Sequence, residues 1–93
     1  MNNSQSYDFN RYISIGESYE KAARNRESQR DFMGAKNFYF DAISCYESAE
    51  KIAWQAGDTS SANYARRKIE SAKNSAREMS YKYDAAVRDY LGK

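Results

Sequence analysis

Histidine and proline are absent from this 93-residue sequence, cysteine occurs once and glycine four times. Each scarcity closes off something. Without histidine, the commonest general base and metal ligand near neutral pH is missing, and the Glu-x-x-His pattern by which helix bundles hold paired metals cannot be written. Without proline, only a few chosen points interrupt long helices. The single cysteine, Cys45, excludes an internal disulfide framework and fits a reducing compartment. No apolar run approaches the roughly 20 residues of a membrane span. The opening MNNSQSYDFN has neither the basic nor the apolar region of a secretory signal. A cytoplasmic protein is therefore expected, with a signal-independent secreted effector as the alternative.

Charge is also scarce in one sense. Charged residues make up 30% of the chain, yet they nearly cancel to a net +2. A mixed, solvated surface follows, and the balance alone is too weak a basic footprint to imply nucleic acid. The chain is long enough for one domain, with a core burying roughly 60–65% of the unfolded surface.

What is present is helical period. Ala62, Ala65, Ile69, Ala72, Ala76, Met79, Tyr83, Ala86 and Tyr90 alternate spacings of three and four without a break, a narrow seam like that of a coiled coil. Ala35, Tyr39, Ala42, Tyr46, Ala49, Ala53 and Ala56 repeat it. Beside this second seam run Phe38, Cys45 and Ile52, and around the other side lie Phe40, Ile43 and Trp54. A helix apolar on two sides needs cover from both, so this segment is expected to be the middle helix of three. Tyr12, Ile15, Gly16, Tyr19, Ala22, Ala23 and Arg26 form a less regular first stripe. Gly57 suits a helix C-terminus, with Asp58, Thr59 or Ser60 opening the next helix, and Asp31 is a candidate N-cap at the first turn. The expected fold is an all-α antiparallel three-helix bundle: residues 1–6 disordered, a single domain over 7–93, and helices near 7–30, 34–56 and 59–91.

The stretch YISIGESY resembles the first-helix pattern of tetratricopeptide repeats, with Tyr12, Ile15, Gly16 and Tyr19 at the family's spacings. YFDAISCYESA is similar to the second-helix pattern through Tyr39, Ala42, Ile43, Tyr46 and Ala49, and KIAWQAGD looks like the close of the longer repeats. About fourteen extra residues separate the halves, close to four helical turns, so both arms of the hairpin can lengthen in phase. The segment from Asp31 to Tyr46 also resembles microtubule-interacting and trafficking domains, which are single three-helix modules. Both resemblances imply protein–protein binding.

Catalysis has little to work with. Cys45 lies in a helix interior with no histidine to activate it, so a small buried hydrophobe is the expected role. The pairs Glu17 with Glu20 and Glu47 with Glu50 fit a solvated helix face. No catalytic, metal-binding or cofactor-binding residue is assigned, and gly-rich phosphate loops are excluded because Gly16, Gly34, Gly57 and Gly92 lie far apart. The candidate partner-binding row is Phe40, Ile43, Glu47, Glu50 and Trp54. Helix one covers this row in a closed bundle; left open, it would dock a helix or peptide of another protein, or a second copy in a homodimer. The expected function is a small non-catalytic interaction module, adaptor, chaperone-like or regulatory. The alternative is a nucleic-acid-associated regulator using Arg66, Lys73, Arg77 and Tyr81 on the third helix.

Overall fold

The computed structural model describes residues 1–92. It contains three helices, α1 (Asn3–Ser28), α2 (Phe32–Gln55) and α3 (Thr59–Leu91), and no strand among the described residues. The expected all-α antiparallel three-helix architecture is present. Its elongated body measures 58 × 18 × 13 Å. Both α1 and α3 pack along α2 and scarcely meet one another, so α2 is the shared middle element.

The two links are built alike. After α1, Arg30 takes a left-handed conformation (φ 59°), its N–H bonds Glu27 O, and Asp31 N–H bonds Arg26 O. After α2, Gly57 does the same (φ 70°), its N–H bonding Trp54 O while Asp58 N–H bonds Ala53 O. This paired pattern is the Schellman end of a helix. In both links the next residue is an aspartate that caps the following helix: Asp31 Oδ1 accepts from Gly34 N at 2.9 Å and Asp58 Oδ1 from Ser61 N at 3.0 Å. Links this short force antiparallel neighbours.

Three sequence expectations change. Helix α1 begins at Asn3, inside the stretch expected to be disordered, because Asn2 and Gln5 form a reciprocal capping box that satisfies two exposed amides. Its buried line runs through Phe9, Ile13, Gly16 and Ala23. The expected stripe of Tyr12, Ile15, Tyr19 and Ala22 lies along its flank, half-buried, and Arg26 is exposed. Helix α1 meets essentially one neighbour, so a single row suffices. Finally, the α3 seam is buried only as far as Met79. Tyr83 is 43% and Tyr90 78% exposed, because α3 is the longest helix at 33 residues against 24 for α2 and runs out past its neighbour.

The core is one cluster built on alanine, with Tyr46, Ile69 and Met79 its largest fully buried side chains. Small seams let helices approach to about 8 Å, and each fully buried large side chain contributes roughly 1.5–3 kcal/mol. Tyr46 lies across Gly16, where any Cβ would strike its ring. Its hydroxyl donates to Glu20 of α1, and among the described residues no buried side-chain nitrogen or oxygen lacks a hydrogen-bond partner.

Candidate functional site

A helix turns about 100° per residue, which sorts the α2 side chains by neighbour. Phe38 stacks on Tyr19 of α1, ring centroids 6.2 Å apart; the flank carrying Phe38, Cys45 and Ile52 therefore faces α1. Glu50 pairs with Arg66 of α3 at 3.7 Å, and Phe40 shares a groove with α3 residues. The row Phe40, Ile43, Glu47, Glu50 and Trp54 thus borders α3. The expectation that helix one covers it is overturned: α1 occupies the opposite flank.

Cover from α3 is partial. Ile43 is buried and Glu50 half-buried, whereas Glu47 is exposed and Phe40 and Trp54 remain 49% and 54% exposed. The middle helix is packed from two sides and open on a third. Between α2 and α3 on that open side lies a shallow groove of about 370 Å³, lined by Lys36, Phe40, Lys73, Ala76, Arg77 and Ser80. Phe40 and Ala76 supply its apolar part. Lys36 stands over the Phe40 ring, 5.7 Å from its centroid, and Arg77 bonds Asn74. Among the described residues, none of Lys36, Lys73 and Arg77 has an acidic partner within ion-pair distance.

The two candidate sets, read as alternatives in the sequence, meet here. Phe40 belongs to the partner-binding row, Lys73 and Arg77 to the nucleic-acid set, and all three line one groove. The structure does not bring the whole nucleic-acid set to that groove. Arg66 is taken up by Glu50 and by Glu70, each at 3.7 Å, and Tyr81 is 70% exposed outside the groove lining. Lys36 and Ser80 are site residues the sequence reading missed. Lys36 lies one helical turn before Phe40, a spacing that makes neighbours and was the available signal; Ser80 needed the α2–α3 register.

Apart from Glu47, which is exposed, the residues weighed for chemistry have structural engagements. Burial, and then the charge of Asp41, push the Cys45 thiol above its ordinary value, opposite to what a nucleophile requires. Glu17 accepts from Lys68 of α3 at 2.6 Å and Glu20 from Tyr46. Partial burial works against the charge on Lys68, but the Glu17 hydrogen bond and charge outweigh it and its pKa rises. Burial and the Glu20 bond raise the Tyr46 hydroxyl far above its usual range. Among the described residues, no three His, Cys, Asp or Glu side chains gather as a metal site would need, and no helix is long and apolar enough to cross a membrane.

Compared with family models, curated proteins and solved structures, the chain matches none.

Proposed function

We propose that this protein is a non-catalytic interaction module that docks a helix along the open side of α2, beside α3. The observation that carries the reading is the pair Phe40 and Trp54, each about half exposed on the flank that α3 only partly covers. Aromatic anchors of this kind dominate binding energy at protein interfaces, and a groove between helices is the usual seat for an amphipathic partner helix. The tetratricopeptide-like spacing of the first two helices supports the same class of role, adaptor or regulatory. Of the groups weighed for catalysis, Glu17, Glu20 and Glu50 are engaged by Lys68, Tyr46 and Arg66, and burial deactivates the Cys45 thiol.

Selection of displayed helical peptides on the folded protein tests this. Ligands should be recovered on the unmodified protein and lost on Phe40→Ser and Trp54→Ser, with helical circular dichroism unchanged in both. Ligands that bind all three proteins equally would refute the reading. Nucleic acid is the second reading, favoured by the unpaired cations around Phe40. Ionic strength separates the two, since affinity carried by phosphate contacts falls steeply with salt, whereas docking on aromatic anchors should hardly move.

A further inference from the structure

The open face of α2 has an internal order that singles out its occupant. Phe40 and Trp54 stand seven residues before and seven after Glu47, about 10 Å to either side along the helix axis. Lys51 follows Glu47 by one turn. Both Glu47 and Lys51 are exposed, and among the described residues neither has an ion-pair partner in the protomer. Ser44, the exposed residue between Phe40 and Glu47 on this side, is small.

We infer that the helix docking there is α2 of a second copy, lying antiparallel with a two-fold axis at Glu47. Two-fold pairing demands that residue i meet j while j meets i, and this row meets that demand. An axis at Glu47 places Phe40 of each copy opposite Trp54 of the other. Glu47 of each copy then lies about one turn, 6 Å, from Lys51 of the other, so two reciprocal ion pairs offset the approach of the two Glu47 carboxylates. Ser44 leaves room for close helix approach at the centre.

The same register accounts for the unpaired cations. Trp54 of the second copy arrives at the groove beside Phe40 and Ala76, with Lys36, Lys73 and Arg77 around it. Cations gathered at an indole face are attracted by the ring quadrupole, for which tryptophan is the best partner. An unrelated partner would explain one exposed aromatic as well as two. It would not explain why the aromatics are equidistant from an acid that has its counter-ion one turn away. This inference deepens the interaction-module reading and rests on it.

Sedimentation across a concentration series tests it with the intact chain. The unmodified protein should approach twice the protomer mass, and the emission of Trp54, the only tryptophan, should move to shorter wavelength as it does. Phe40→Ser, Glu47→Lys and Lys51→Glu should each weaken association by about tenfold or more, as loss or reversal of a central contact does. The double variant carrying both Glu47→Lys and Lys51→Glu should recover to within about threefold of the original, because the pairs are restored with signs exchanged. A dimer indifferent to all three single changes, or a swap that restores nothing, would overturn the two-fold register. A protein that stays monomeric yet still selects helical peptides through Phe40 and Trp54 would overturn self-pairing and leave the module reading standing; one that does neither would remove both.

Discussion

Gly16 lies against the ring of Tyr46, and Tyr46 cannot move aside, because it is fully buried and its hydroxyl is held by Glu20. Alanine in a helix normally gains about 1 kcal/mol over glycine, but forcing a methyl into packed space costs about 1–3 kcal/mol. Gly16→Ala should therefore lose stability, by about 1 kcal/mol net, seen as a lower urea midpoint with an unchanged slope. The exposed aromatics behave differently. Trp54→Ala should change monomer stability by less than about 0.5 kcal/mol, as surface substitutions do. Tyr46→Ala, which empties the core, should cost about 3–5 kcal/mol. Denaturant titration at concentrations too low for association compares the two directly.

The elements are joined by two links of identical design in which one left-handed position holds glycine and the other arginine. That conformation costs an L-residue roughly 1–2 kcal/mol. Arg30 recovers part of this by standing over the Phe32 ring, 5.5 Å from its centroid, a contact worth about 0.5–1 kcal/mol. Arg30→Gly should then stabilise by about 0.5 kcal/mol and Gly57→Ala destabilise by about 1 kcal/mol, a difference in sign that thermal melts of the pair would check. The cap of α3 adds a pH dependence. Hydrogen bonds from the Ser61 amide and hydroxyl hold the Asp58 carboxyl below its ordinary value. A depressed pKa stabilises the fold fully above the unfolded value, near 3.9, and that contribution disappears as pH falls through the lower folded value. The melting temperature should drop across this acid window. It should drop less in Asp58→Asn, which keeps a capping oxygen without the titration.

In the whole molecule, α2 carries both neighbours, while α1 and α3 are linked mainly at their surfaces, by Lys68 to Glu17 and Lys82 to Glu27. Hydrogen bonds that Lys82 donates to Glu27 and then to Glu78 raise its pKa, yet ion pairs this exposed add little to the stability of the fold. Hydrogen exchange should show the consequence. Amides in the middle of α2, from Tyr39 to Ala49, should open only with global unfolding, whereas the end of α3 beyond Ala86, which outruns its neighbours, should exchange by local opening. Uniform protection along α3 would contradict this arrangement.

How much of this was legible in the sequence follows from what each feature needs. The unbroken three-four spacing on α2 and α3, the Gly57 turn and a cap among Asp58, Thr59 and Ser60 are local, and the sequence by itself determined them together with the helical class. Phe9 and Ile13 escaped notice because a periodic stripe shows that a face exists without showing where along its width the neighbour rests. Arg30 gave no sign of its backbone, since a left-handed turn there is imposed by the Asp31 cap and the Phe32 contact around it. Only the tertiary structure decided which flank of α2 each neighbour takes, and so that α3, not α1, borders Phe40 and Trp54 and leaves them half open. The physical reason is that burial depends on the area between two helices, a property of their mutual rotation and length that neither helix encodes alone.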